Sequence, residues 1–188
     1  MSRLHISTRD DAPVESKPIL DVVYQKLGVV PNFYRLIGSS PVALAAFAAF
    51  QDGLSTTLDS RNRERIALAV APVNGSDYCL SAHRFLATNF AKLSPDEIEL
   101  NRSGGSKDPK AEAVVKFAAS VARQRGHISD ADIAAVRRAG YDDARIVEIV
   151  ALVAVNVFTN YLNEVAKTHI DFPVVADPAH RPHAAEVR

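Results

Sequence analysis

The chain has 188 residues, 47% of them hydrophobic and 23% charged, proportions that are ordinary for one folded domain. Its 22 basic and 22 acidic side chains balance, which argues against nucleic acid as a partner, because nucleic-acid binders usually carry a basic excess. A single cysteine excludes an intramolecular disulfide and a thiolate-rich metal cluster. The sequence also lacks a Gly-rich nucleotide-binding motif, so we expect no cofactor and no metal.

Helical periodicity and capping signals predict an all-α protein, and no segment alternates polar and apolar residues as a strand does. In the first half, the predicted helices are 17–27, 31–37, 41–54, 60–73 and 77–90. In the second half, they are 95–100, 109–125, 129–140 and 143–167. The last helix is apolar on most of its faces, which predicts a buried or subunit-interface role.

Three segments are expected along the chain: an N-terminal extension over 1–14, one helical domain over 15–170, and an extended or disordered tail over 171–188. A metal site built on His180 and His183 in that tail would need further ligands, and none is evident. The N-terminus lacks the apolar core of a signal peptide, and the longest apolar stretch is shorter than the roughly 20 residues that span a bilayer. We therefore expect a cytoplasmic protein with no membrane partner.

Nucleophilic and ionisable side chains are concentrated in and just before the helix predicted over 77–90. Ser76, Cys79 and His83 stand at positions i, i+3 and i+7, so a helix places them on one face. If Ser76 is the N-cap, Cys79 is the third helical residue, where free backbone N–H groups favour a thiolate. The His83 imidazole could stabilise that thiolate or accept its proton. The same spacing also fits a core cysteine beside a core histidine, and a serine that only caps.

Glu64 lies where the preceding helix changes from polar to apolar residues. A carboxylate at this boundary could point inward and orient the imidazole of His83. Among Arg61, Arg63 and Arg65 it could equally be a solvated surface residue. The sequence leaves both possibilities open.

Other side chains could wall a pocket around this helix. Asn160 and Asn163 lie three residues apart near the end of the last helix and could line a pocket or meet solvent. Tyr78, Phe33 and Tyr34 could supply apolar walls, although aromatic side chains in such positions also pack in cores. We retain Ser76, Tyr78 and Asn163 as pocket candidates.

The stretch from Glu64 to His83 resembles the core motif of the alkylhydroperoxidase D / carboxymuconolactone decarboxylase family. In the redox branch of that family the motif is a Glu, eleven residues, Cys-x-x-Cys, three residues and a His. The sequence matches this motif with one change, because Ser76 stands where the first cysteine belongs. Residues 28–41 and 160–173 resemble segments of the family's peroxidase-related subgroup.

The resemblance implies an all-helical subunit of a homo-oligomer, which could be a dimer, trimer or hexamer. In the redox branch, the Glu and His activate the second cysteine, which attacks a hydroperoxide. The first cysteine then closes a disulfide that a partner dithiol reduces. By position, Glu64 and His83 resemble the proton-relay residues, and Cys79 resembles the peroxide-attacking thiol.

Ser76 changes what the resemblance implies about turnover, because a hydroxyl cannot form a disulfide with oxidised Cys79. The expectation is an antioxidant, peroxiredoxin-type oxidoreductase with a single activated cysteine and an external thiol as reductant. One alternative is an acid–base decarboxylase or isomerase of the carboxymuconolactone decarboxylase type, in which His83 and Glu64 act and Cys79 only packs. The other alternative is an oligomer that has lost its activity.

Overall fold

The computed structural model describes residues 2–8 and 10–174, in which nine α-helices follow one turn of 3-10 helix. No strand occurs in these two ranges, and the predicted all-α fold is confirmed. The elements are the 3-10 turn Val14–Ser16, α1 Lys17–Leu27, α2 Asn32–Ile37, α3 Pro41–Leu54, α4 Ser60–Val73, α5 Asp77–Asn89, α6 Pro95–Arg102, α7 Pro109–Arg123, α8 Asp130–Arg138 and α9 Asp143–Ala166. The tail beyond residue 174, with His180 and His183, lies outside the described residues.

Local capping chemistry sets most of the helix boundaries. Six helices begin at a Ser or Asp side chain that accepts a backbone N–H bond, and these caps are Ser40, Asp59, Ser94, Asp108, Ser129 and Asp142. Gly28 ends α1 with a φ of 75°, a left-handed conformation that glycine adopts without a steric penalty. Because these capping signals are local, the sequence alone predicts the helix boundaries that they set.

The centre of the bundle is α4. Its seven consecutive residues 65–71 are all buried, so every face of this stretch contacts protein. Helices α5, α6, α7 and α9 pack around it. The first turn of α4 remains polar and partly exposed, so Glu64 and Arg65 lie where the helix enters the core.

Residues 74–76 join α4 to α5 in a tight helical hairpin. Gly75 has a φ of 64°, and the backbone N–H of Ser76 donates to the carbonyl of Ala71 at 3.1 Å. So short a connection reverses the chain direction, and α5 packs back along α4. The hairpin therefore brings Glu64 on α4 opposite His83 on α5.

The longest helix, α9, has 24 residues and an 18-residue window of mean hydropathy 1.6. By length and composition alone it could cross a membrane, which differs from the expectation based on its shorter apolar stretch. Within the bundle it packs against α3, α4, α5 and α7 and buries Asn156, Asn160 and Asn163. These contacts are those of a core helix. Its outer side exposes Val147, Val150, Phe158, Tyr161 and Val165.

The described parts of both predicted terminal segments contact the helical domain. The carbonyl of Ser7 accepts a hydrogen bond from Arg35 Nε at 2.7 Å. At the other end, Asp171 Oδ2 accepts the backbone N–H of Asn32 at 2.7 Å. This bond caps α2 from outside, since Pro31 at the N-cap position has no side-chain acceptor. Residue 171, which we assigned to the tail, thus contributes to the packing of the domain.

Candidate functional site

The hairpin of α4 and α5 sets a carboxylate against an imidazole. Glu64 Oε2 lies 2.8 Å from His83 Nδ1, and the two side chains are 19% and 22% exposed. A carboxylate in this position accepts the Nδ1 proton, which leaves Nε2 of His83 as the nitrogen with a free lone pair. The structure thus brings Glu64 and His83 together and turns Glu64 inward. Such a pair holds the ring orientation and stabilises a positive charge on it.

Cys79 lies in the first turn of α5 and is only 3% exposed. Its thiol points to the hydroxyl oxygen of Thr159 at 3.8 Å, and Asn163 Nδ2 donates to Sγ at 3.3 Å. Asn163 Nδ2 also donates to the carbonyl of Thr159 at 3.0 Å, which fixes the orientation of the amide. An N–H donor aimed at sulfur stabilises negative charge on it. The sulfur therefore contacts α9, the helix that carries the pocket candidate Asn163.

Several buried polar atoms at the start of α5 and on α9 lack a hydrogen-bond partner among the described residues. They include Ser76 Oγ and Asn163 Oδ1. A third is Nδ2 of Asn160, whose Oδ1 accepts from Asn74 at 2.8 Å. Each such atom costs about 1–3 kcal/mol, so a group of them commonly marks a water or ligand site. Ser76 occupies the N-cap position but its hydroxyl makes no capping bond.

Cys79 and His83 border the same cavity, whose volume is about 280 Å³. The walls are mostly apolar and aromatic, and they include Phe33, Tyr34, Phe47, Tyr78, Leu86 and Phe172. Thr159 and Asn163 supply polar groups, and Lys26 borders the cavity from α1. A small apolar molecule in this space would contact both the sulfur and the imidazole.

Tyr78 joins the cavity wall to the C-terminal segment. Its hydroxyl donates to Asp171 Oδ1 at 2.9 Å and accepts the backbone N–H of Phe33 at 3.0 Å. Burial, reinforced by the negative charge of Asp171, raises the pKa of Tyr78. The ring of Phe172 packs edge-on against Tyr78, with centroids 5.8 Å apart. Tyr78 is therefore a neutral positioning group that closes the cavity, rather than a base.

A larger cavity, of about 770 Å³, also borders His83. Glu64, Arg63 and Asn156 border it together with His83, whereas Cys79 does not. Its other walls come from α1, α3 and α9. His83 thus borders both the cavity lined by Cys79 and the cavity lined by Glu64, and the two cavities also share Lys26, Tyr34 and Thr159.

Arg65, the residue after Glu64, belongs to a different cluster. Its Nε donates to Glu97 Oε1 at 2.9 Å, and both side chains are buried. Burial disfavours ionisation of Glu97, but hydrogen bonds from Ser106, the N–H of Lys107, Asn101 and Arg65 outweigh it. Together they hold the pKa of Glu97 at about 2. Glu97 is therefore an ionised, fully engaged carboxylate.

Sequence reasoning missed several residues that border the thiol's cavity, among them Lys26, Thr159 and Phe172. Thr159 had a usable signal, because it precedes Asn163 by four residues and so shares its helical face. Lys26 and Phe172 come close only through tertiary packing. Among residues 2–8 and 10–174, no three His, Cys, Asp or Glu side chains are placed to hold a metal ion.

Residues 41–104 match the sequence profile of the Carboxymuconolactone decarboxylase family. The matched range contains Glu64, Ser76, Cys79 and His83. No curated protein matches the chain.

Solved structures share the fold over most of the chain. An uncharacterized peroxidase-related protein with an alkylhydroperoxidase AhpD core, from Ralstonia eutropha JMP134, is 24% identical with a TM-score of 0.81, over 90% of this chain and 92% of that one. An uncharacterized peroxidase-related protein from Silicibacter sp. TM1040 is 25% identical with a TM-score of 0.78, over 89% and 91%. A cysteine-to-alanine variant of the debrominase Bmp8, in complex with 2,3,4-tribromopyrrole, is 21% identical with a TM-score of 0.77, over 91% and 94%.

The two comparisons agree with each other and with the helical hairpin described above. The profile covers the helices that carry the candidate site, and the fold is shared over nearly the full length of both peroxidase-related proteins. Residues 41–104 are thus similar to the Carboxymuconolactone decarboxylase family, and the chain shares the fold of the AhpD-like, peroxidase-related proteins.

Proposed function

We propose that this protein is a thiol-dependent, peroxidase-like oxidoreductase in which Cys79 reduces a hydroperoxide and His83 and Glu64 move the proton. One observation carries the proposal: Cys79 and His83 border one cavity while Glu64 holds the imidazole from behind at 2.8 Å. A nucleophile, a base and a group that orients the base are the parts that nucleophilic catalysis requires.

The proposed reaction uses these groups in the following order. His83 takes the thiol proton, and the Cys79 thiolate attacks the terminal oxygen of the hydroperoxide. The O–O bond breaks, and the departing alkoxide takes the proton back from the imidazolium and leaves as an alcohol. Cys79 becomes a sulfenic acid, so the sulfur loses two electrons and the peroxide gains them. Glu64 stabilises the imidazolium between the two proton transfers.

The side-chain amide of Asn163 can form a hydrogen bond with both the thiolate and the sulfenic acid of Cys79. Its Nδ2 donates to Sγ at 3.3 Å, which favours the thiolate before the reaction. Its unpaired Oδ1 offers an acceptor for the hydroxyl of the sulfenic acid afterwards. The chain has one cysteine, so the sulfenic acid is reduced by thiols from outside the chain.

The test is peroxide consumption by wild type, Cys79→Ser and His83→Ala with dithiothreitol as reductant. We expect turnover by wild type, loss of turnover in Cys79→Ser to the rate without protein, and a slower reaction in His83→Ala. Matching melting curves would show that the variants are folded. Equal rates for wild type and Cys79→Ser would overturn the proposal. Because the debrominase shares this fold, bromopyrroles are worth including as a second substrate class.

A second candidate is an acid–base decarboxylase or isomerase, and the larger cavity favours it. Glu64 and His83 border that cavity together with the cations Arg63 and Lys26, which could hold a carboxylate-bearing substrate. For this function, Cys79→Ser would retain activity on a lactone acid and His83→Ala would lose it. If the protein is instead an inactive oligomer, then wild type, Cys79→Ser and His83→Ala will all fail to turn over both the hydroperoxide and the lactone acid.

We also propose that the protein is a cytoplasmic homo-oligomer. The support is the apolar outer side of α9, where Val147, Phe158 and Val165 are 67%, 44% and 61% exposed. Sedimentation velocity should detect a dimer or larger assembly, and Val165→Lys should weaken it. A single monomeric species of the wild type at high micromolar concentration would contradict the assembly.

A further inference from the structure

The cavity limits what can reach the oxidised sulfur. Cys79 is 3% exposed and borders a cavity of about 280 Å³, a size that suits a small molecule. A thiol that reduces Cys79 must bring its own sulfur to bonding distance, about 2.05 Å. A small molecule can enter a space of this size. In a protein reductant, the active thiol is surrounded by folded surface, and this surface is too wide to enter the cavity together with the sulfur.

One cation borders the cavity. Among the described side chains that line it, Lys26 alone carries a permanent charge, while the carboxylates of Glu64 and Asp171 lie behind the wall, bonded to His83 and Tyr78. Lys26 is exposed in the last turn of α1 and has no ion-pair partner in the part of the chain that the structure describes. An unneutralised cation beside an apolar cavity attracts anions, because the low-dielectric walls strengthen its field.

A polar acceptor near the sulfur is also unused. Asn163 is 2% exposed, its Nδ2 lies 3.3 Å from Cys79 Sγ, and its Oδ1 lacks a partner among the described residues. A buried acceptor of this kind is expected to bind a donor supplied by whatever occupies the cavity. The cavity thus combines a reactive sulfur, a cation near its edge and a vacant acceptor inside.

We propose that the reductant of Cys79 is a low-molecular-weight thiol that carries a carboxylate, and that Lys26 holds this carboxylate. The inference rests on the proposed peroxidase function, since it names the molecule that completes the same cycle. Lys26 acts here as a binding residue for the thiol and takes no part in the attack on the peroxide.

The proposed cycle balances with two thiol molecules. The first attacks the sulfenic sulfur of Cys79, an S–S bond forms and the S–O bond breaks. The departing hydroxide takes a proton from His83 and leaves as water, while the imidazole regains a proton from the incoming thiol. The second thiol attacks the mixed disulfide at the sulfur of the first, which releases a small disulfide and restores the Cys79 thiol. Both electrons that the peroxide accepted are thereby supplied by the two thiols.

The experiment compares thiols of similar size and different charge. Wild-type protein is oxidised with one equivalent of cumene hydroperoxide, and mixed-disulfide formation is then timed by mass spectrometry. The thiols are 3-mercaptopropionate, 2-mercaptoethanol and cysteamine, with thioredoxin and its reductase as the protein dithiol system. Each rate is divided by the rate of the same thiol with a small aromatic disulfide, which removes differences in intrinsic nucleophilicity.

We expect the normalised rate for mercaptopropionate to exceed that for cysteamine by about tenfold or more, and to fall as salt is added. Lys26→Met should bring the two normalised rates within about twofold. Lys116→Met is the control, because Lys116 lies on α7 and does not border the cavity. Equal normalised rates in wild type, or faster reduction by thioredoxin than by any small thiol, would overturn the inference.

A second measurement separates this inference from the proposed function. If the hydroperoxide leaves Cys79 unoxidised, the peroxidase function fails at its first step. Charge selection is then measured by thiol–disulfide exchange of reduced Cys79 with the symmetrical disulfides of the same three thiols. Preference for the dicarboxylate disulfide, lost in Lys26→Met, would support the role of Lys26. Absence of that preference would overturn it.

Discussion

Glu64 and Arg65 are consecutive residues of α4, yet they enter two polar clusters of opposite character. Arg65 reaches Glu97, whose carboxylate accepts bonds from Arg65, Asn101, Ser106 and the N–H of Lys107. All four donors stabilise the negative charge of the buried Glu97 carboxylate. Glu64 reaches His83, whose ring borders two cavities.

The difference lies in whether an unpaired polar group borders a cavity. Around Glu97 the carboxylate is fully engaged, the unpaired Oδ1 of Asn101 belongs to a residue that borders neither cavity, and the cluster holds α4 to α6. Beside Cys79, Asn163 Oδ1 is unpaired within the described residues, and Asn163 borders the cavity. An unpaired buried group beside a cavity is available to a ligand. The comparison predicts that the first cluster controls stability and the second controls reactivity.

The largest expected effect is on stability and comes from Arg65→Met. Removing Arg65 takes from the buried Glu97 its cationic partner and leaves only neutral donors, which should lower the free energy of unfolding by about 3 kcal/mol. Urea denaturation measures it. Arg61→Met, at an exposed position of the same helix, is the control and should change stability by no more than about 0.5 kcal/mol. Similar losses for both variants would mean that the Glu97 cluster has no special role.

Acid should weaken the first cluster through Glu97. Its pKa falls from 4.5 to about 2 in the folded protein, so its contribution is complete above pH 4.5 and is lost as pH falls toward 2. The contribution amounts to about 3 kcal/mol, at 1.36 kcal/mol per tenfold change in proton affinity. The stability difference between wild type and Glu97→Gln should therefore shrink from pH 5 to pH 2.5. A difference that stays constant over this range would contradict the assignment.

The smallest expected effect concerns Ser76. Its hydroxyl is buried, makes no capping bond and lacks a partner among the described residues, so Ser76→Ala breaks no hydrogen bond and should not lower the free energy of unfolding. Ser129→Ala is the matched comparison, because Ser129 forms a complete capping box at the start of α8. That variant should lose about 1 kcal/mol. A loss of 1 kcal/mol or more in Ser76→Ala would show that the hydroxyl has a partner.

Helix limits were predictable because their causes are local. Caps such as Ser40 and Asp59 and the left-handed Gly28 lie beside the boundaries they set, and each predicted boundary falls within two residues of the observed one. The pairing of Glu64 with His83 was expected only through the family resemblance. Adjacent helical residues point about 100° apart, and the sequence could not decide between an inward Glu64 and a solvated one.

The features of the site that the sequence did not predict depend on contacts between distant segments. Lys26 carries no motif, and it borders the cavity only because α1 packs beside the hairpin. Phe172 lies in the predicted tail, and its place against Tyr78 follows from the bond of Asp171 to α2. The unpaired Ser76 hydroxyl was also unexpected, because serine at an N-cap ordinarily makes the capping bond.

The central claim is that Glu64, His83 and Cys79 act as one unit while Arg65 does not. The most direct test is the rate at which one equivalent of hydroperoxide oxidises Cys79 in wild type and in Glu64→Gln, followed by mass spectrometry without added thiol. Gln keeps the shape of Glu but cannot stabilise an imidazolium by charge. We predict at least about tenfold slower oxidation, with the free energy of unfolding changed by less than about 1 kcal/mol. An unchanged oxidation rate would contradict the account.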